Sequence, residues 1–203
     1  RVFLKSILSF LLYGCAMRKK SIKNFKGIYE YLSNPEGNSN PYPEGVIVIE
    51  DADFSTASFR DIYWSDIRFV NCDFGGQYKI YMFGIKNCQF ERCNFSGILN
   101  FGNIINTKFI DCTGSGKFFL LGESKSKNVI FEKCSFSGPR PEESIGSAAV
   151  GTSGEAKFLS CTLNRVEIAG DQYLEISHCT CHLIDLMPSN DDGTGSIAIS
   201  KPV

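Results

Sequence analysis

From residue 47 onward the apolar residues recur every five positions. Ile49, Phe54, Phe59, Trp64, Phe69 and Phe74 are five apart, and Ile47, Ala52, Ala57, Ile62, Ile67 and Cys72 stand two residues before each of them. The positions between are mostly small, polar or charged, among them Asp53, Ser58, Arg60, Asp61, Asp66, Arg68 and Asp73. A helix repeats every 3.6 residues and a half-buried strand every 2, so neither produces this spacing. A fixed short period marks a repeat architecture. A five-residue unit with two inward residues makes one side of a square coil. Four such units close a coil of about 20 residues, whose backbone pairs with the coils above and below at about 4.8 Å. Equivalent side chains of successive coils then stack as ladders.

The period slips and returns along the chain. Ile80, Ile85, Phe90 and Phe95 continue it, with Cys88 and Cys93 two residues before the last two. After a slip come Phe109 with Thr107, then Phe131 and Phe136 with Val129 and Cys134, then Phe158, Leu163 and Ile168, and finally Ile176, Cys181 and Leu186. The later part also reads as one apolar-x-x-Cys-x-apolar group every 18 to 27 residues. Two stretches interrupt the pattern: Gly122 to Asn128, and Gly138 to Glu155, which reads as an 18-residue loop carrying Arg140, Glu142 and Glu143. Unstructured loops of that length inside a domain are uncommon and often functional.

ADFST, ASFRD, IRFVN and CDFGG, within residues 52–76, resemble the units of the pentapeptide-repeat family, most strongly over 47–95. That resemblance implies a right-handed quadrilateral β-helix. The stretches NVIFEKCSFSG and AKFLSCTLNRVEIAG after residue 97 are similar also to the wider-coiled right-handed β-helices of the pectate-lyase type, and the subtype there stays open. The expected fold class is all-β, a right-handed parallel β-helix of about six to seven coils, roughly 30 Å long at the coil spacing, with short N-terminal helices acting as a cap. Its ladder is expected to contain Phe54, Phe59, Trp64, Phe69, Phe74, Phe90 and Phe95, with Cys72, Cys88 and Cys93 beside them.

The flanks differ from the repeat. Residues 1–29 carry seven cations and no acid, which leaves about −8 on the rest of a chain whose total is −1. This basic start adjoins an apolar run, Ile7 to Tyr13, and Leu12-Tyr13-Gly14-Cys15 loosely resembles a bacterial lipoprotein box, with Tyr13 where that box carries a small residue. It reads either as an amphipathic helix docked on the end of the domain or as a membrane or export segment. Residues 21–34 read as a second short helix, because Ile22, Phe25, Ile28 and Tyr29 form a stripe. The expected division is 1–45 basic helical segment and linker, 46–188 β-helix, and 189–203 tail or final strand, with Ser196–Ser200 covering the open sheet edge. The expected location is cytoplasmic or delivered as an effector, with membrane association through residues 1–29 as the alternative.

Composition narrows the chemistry. The balance of 21 basic and 22 acidic residues does not suit a direct nucleic-acid binder, and no apolar run reaches transmembrane length. Eight of nine cysteines fall in the repeat, where free Cys serves as a small hydrophobe. The stretch His178-Cys179-Thr180-Cys181-His182 invites a metal reading. In a strand, however, the two histidines would lie about 13 Å apart, too far to share an ion, and the cysteines take inward positions. No metal, cofactor or catalytic residue is expected. Asp61, Asp66, Arg60 and Arg68 are the outward group that a uronate-binding or lyase-type protein would need. The expected function is a non-enzymatic protein-interaction or scaffold module, bacterial by resemblance and of effector, immunity or complex-subunit type. It would present a β-helix face and the 138–155 loop to a protein partner. The alternatives are a DNA-mimicking topoisomerase-protection protein and a polysaccharide-binding or lyase-type protein.

Overall fold

Parallel pairing joins all the described strands. The structure, a computed structural model, describes residues 20–22, 32, 47–75, 80–96, 99–114, 118–120, 126–136, 147–150, 153–169, 171–187 and 196–200. These strands wind into an all-β parallel solenoid. Ile49 pairs with Phe69, and the same register continues through Phe90, Phe109, Phe131, Phe158 and Ile176. The intervals between these stacked residues are 20, 21, 19, 22, 27 and 18, so coil length varies while register does not.

A second column lies one corner further on. Asp53, Asp73, Asn94, Thr113, Ser135, Thr162 and Thr180 pair in sequence. The residue after each points inward or abuts the core: Phe54, Phe74, Phe95, Gly114, Phe136, Leu163 and Cys181. On another side Trp64 pairs with Ile85 and Ile85 with Ile104. The expected ladder of Phe54, Phe59, Trp64, Phe69, Phe74, Phe90 and Phe95 is buried as a unit. Within a column the rings lie nearly parallel, as for Phe90 over Phe109 with centroids 4.9 Å apart and planes 4° apart. Between columns they meet edge to face, as for Phe69 and Phe74 at 5.3 Å and 77°. Both arrangements suit the ring quadrupole.

The corners have their own chemistry. Eleven residues other than glycine take φ between 49° and 58°. They fall on two lines: Asp51, Asn71, Arg92, Asp111, Lys133, Ser160 and His178 on one, and Asp66, Asn87, Asn106 and Asn128 on the other. The left-handed region favours Asn and Asp, whose short side chains tolerate it. On the second line the amides also bond along the stack: Asn87 Nδ2 donates to Asp66 Oδ1 at 3.0 Å, and Asn106 and Asn128 each donate to the preceding Asn at 3.2 Å.

Three expectations change. The helix read from residue 21 is a strand at its start: Lys20–Ile22 pairs in parallel with Ile47–Ile49 and covers that edge of the sheet. Backbone bonds to an open edge outweigh the helical stripe there. The rest of the 21–34 segment, with Phe25, Ile28 and Tyr29 of the stripe, lies outside the described residues apart from Leu32, which is helical and buried in the core, its carbonyl accepting from Trp64 Nε1 at 3.1 Å. The 138–155 loop is also shorter than expected. Ser147–Val150 pairs with Phe118–Leu120 and with residues 165–168, and Ser153–Leu159 forms a further strand. Its alanine- and glycine-rich sequence had hidden these strands, since small residues carry no apolar period. The loop between Gly122 and Asn128 likewise gives way to a strand at Ser126. Ser196–Ser200 is a strand, paired with residues 173–177.

Candidate functional site

The outer side of the first column is a continuous strip, flanked on one side by the corner line from Asp51 to His178 and, over the rungs of Arg68 to Ile130, on the other by the line from Asp66 to Asn128. Its residues fall in two files. Val48, Arg68, Gln89, Lys108, Ile130, Lys157 and Glu175 pair in order, and so do Glu50, Val70, Glu91, Ile110, Glu132, Leu159 and Ser177. Each rung of this strip therefore carries one charge, and the sign alternates: Glu50, Arg68, Glu91, Lys108, Glu132, Lys157, Glu175. Where one file holds a cation the other holds Val70, Ile110 or Leu159. Alternation keeps like charges off adjacent rungs, where they would repel. It also makes diagonal and direct pairs: Arg68 with Glu91, and Lys157 with Glu175 at 3.1 Å. The Arg68 guanidinium, with Gln89 Nε2 donating at 3.0 Å, holds the Glu91 carboxyl below its usual range, against an opposing effect of burial.

Of the outward acidic and basic group weighed for polysaccharide chemistry, the described side chains of Asp66 and Arg68 are engaged by different partners. Asp66 is a corner residue that accepts from Asn87, and Arg68 is engaged by Glu91 on the strip. Arg60 is exposed, and the Asp61 side chain lies outside the described residues. Arg140, Glu142 and Glu143 lie outside them too, as do residues 1–19 with their proposed membrane role. Among the described residues no helix is long and apolar enough to cross a membrane.

His178 was expected in a strand on one face with His182. It is instead a corner residue with φ 55°, and its Nδ1 lies 2.8 Å from Ser177 Oγ. His tolerates this backbone region, as Asn and Asp do.

Inside the solenoid the cysteines form a column that the sequence reading did not assemble. Cys72, Cys93, Cys112, Cys134, Cys161 and Cys179 occupy the same place on successive rungs, two residues before the second aromatic column. All are free thiols, as are Cys88 and Cys181. Each Sγ in the column sits against two carbonyls, one two residues back and one on the preceding rung. For Cys112 these are Ile110 and Phe90, both at 3.4 Å. The six sulfurs therefore follow one another rung by rung from Cys72 to Cys179. Cys88 stands apart, over Thr107 in the first column, and burial pushes its thiol up to about 12. The signal for the column was the recurring apolar-x-x-Cys-x-apolar group. Its meaning depended on register, because the intervals between cysteines range from 18 to 27 residues.

No protein-family profile matches the chain, and neither does a curated protein or a solved structure.

Proposed function

We propose that the chain is a non-enzymatic interaction or scaffold module whose rigid solenoid presents the alternating-charge strip to a protein partner. The observation that supports this most is the strip itself. Seven charges alternate in sign at the rung spacing, with Ile110, Ile130 and Leu159 between them, on a surface fixed by parallel backbone pairing. Such a surface gives register and selectivity more than raw affinity. It fits an extended protein segment whose own charges alternate at the same repeat. The strip carries both signs in equal measure until Glu175, which favours this reading over a uniformly acidic DNA mimic. The pentapeptide-repeat resemblance supports a module of this kind and leaves the setting to experiment.

The test is affinity capture with the full chain, compared with a Lys108→Glu, Lys157→Glu double variant and an Arg140→Ala, Glu142→Ala, Glu143→Ala triple variant, each first checked for an unchanged melting temperature. Loss of a reproducibly captured protein in the double variant supports the strip. Loss only in the triple variant moves the contact to the 138–146 segment. Capture that neither variant weakens overturns the reading.

A further inference from the structure

We propose that the cysteine column binds soft monovalent metal ions, of the Cu(I) and Ag(I) class, each held between the thiolates of two successive rungs. The argument starts from spacing. Rungs repeat at about 4.8 Å, so the midpoint between two stacked sulfurs is about 2.4 Å from each. A metal–thiolate bond is close to that length, about 2.3 Å for zinc. Zinc itself needs four ligands around one point. Among the described residues no group of three or more His, Cys, Asp or Glu side chains converges to hold an ion. A column offers two sulfurs per gap instead, and two-coordinate sites with soft sulfur ligands suit Cu(I) and Ag(I).

Charge favours filling the whole column. One ion between two thiolates displaces two thiol protons and leaves a net −1 in a dry interior, which is costly. Inner sulfurs, however, can bridge the ions above and below. Six thiols filled by five ions lose six protons and gain five positive charges, so the complete column also carries only −1. The charge per ion therefore falls as filling proceeds, and binding is cooperative. No electron is transferred. The sulfurs stay thiolates and the protons leave to solvent, as metal binding to thiols requires. At one end of the column Cys179 is partly exposed, while Cys72, Cys93, Cys112, Cys134 and Cys161 are buried.

Ag(I) titration of the reduced full chain without oxygen, read by native mass spectrometry, tests this directly. The proposal makes a middle cysteine worth two ions and an end cysteine worth one. Cys112→Ser should lower the bound number by two, because it splits the column into Cys72–Cys93 and Cys134–Cys161–Cys179. Cys179→Ser should lower it by one, and Cys88→Ser, outside the column, should leave it unchanged. Serine keeps the size and the carbonyl contact but is a poor soft-metal ligand, and circular dichroism checks the fold of each variant. If Cys112→Ser perturbs the fold, Cys134→Ser carries the same test, since it leaves three cysteines on one side and two on the other. A loss of one ion for every cysteine alike, an effect of Cys88→Ser equal to that of the column variants, or no binding to the wild-type chain would each overturn the proposal.

Discussion

Phe131 and Phe158 lie 27 residues apart in the chain, five more than Phe109 and Phe131, yet both ring pairs have the same geometry: centroids 4.6 Å apart, with planes 7° and 8° from parallel. The coil that lengthens between them leaves the stack untouched. Stacking and register are thus set by the inward residues and their backbone partners, while extra chain is accommodated elsewhere on the coil. In a repeat protein each unit is stabilised by its nearest neighbours, so a ring stacked on both sides serves two interfaces at once.

Phe131 is such a ring, fully buried between Phe109 and Phe158. Phe131→Ala should cost about 3–5 kcal/mol, the range for emptying a packed aromatic site. Denaturant unfolding followed by circular dichroism would measure it. A loss under about 1 kcal/mol would mean that the column is not the stabilising core that its burial indicates.

The corner lines predict an inverted residue preference. Asn106 has φ 49°, donates its amide to Asn87 and accepts one from Asn128. Asn106→Ala should destabilise by about 1–2 kcal/mol, since alanine resists the left-handed region and breaks both bonds. Asn106→Gly should cost less, although glycine is ordinarily the worse residue within a sheet. At the exposed corner residue Lys133, with φ 54°, Lys133→Asn should raise the melting temperature. Thermal melts of the three variants check the order, and alanine proving milder than glycine at 106 would contradict it.

These positions show what the sequence could and could not reveal. The aromatic ladder was legible because phenylalanines at a five-residue period have no helical or simple strand explanation. Gly114 was not. It holds the place between Phe95 and Phe136 in the second column, where a Cβ would lie 2.4 Å from the Phe95 carbonyl oxygen, so the apolar series breaks there while the backbone register continues. The corner residues were visible only as polar spacers, because nothing in a single sequence separates an outward Asn from one in the left-handed region. The cysteine column and the charge alternation needed register as well. Both relate residues some 20 positions apart through intervals that change from coil to coil, so no fixed period exposes them.

Thr107 is the one polar side chain among the fully buried described residues, and it does what the column cysteines do. Its Oγ1 donates to the Ile105 carbonyl at 3.0 Å, two residues back, and accepts from the Cys88 amide at 3.4 Å. Thr107→Val keeps the shape and removes both contacts, so it should cost about 1–3 kcal/mol, the penalty of stranding buried polar groups. Thr107→Cys restores a donor with the sulfur-to-carbonyl geometry seen at Cys88, whose Sγ lies 3.4 Å from the Lys86 carbonyl, and should cost less. Paired denaturation curves decide it, and equal losses for the two variants would assign the cost to packing instead.

Glu91 ties stability to pH through Arg68. The hydrogen bond from the guanidinium lowers the folded carboxyl from its ordinary value of 4.5, with burial opposing it. The folded state then holds the proton less readily than the unfolded one. The stability that this pair contributes is therefore present above the unfolded value and is lost as pH falls through the folded one. Below about pH 5 the wild-type denaturation midpoint should fall more steeply than that of Glu91→Gln, which has no carboxyl to titrate. Arg68→Gln should flatten the curve in the same way, because the carboxyl that remains returns toward its ordinary range in both states. The two variants share this slope although they differ in absolute stability, since only one of them removes a cation from the strip. If Glu91→Gln kept the wild-type slope, or if Arg68→Gln did, the acid sensitivity would belong to other carboxylates and the Arg68–Glu91 pair would be only a surface contact.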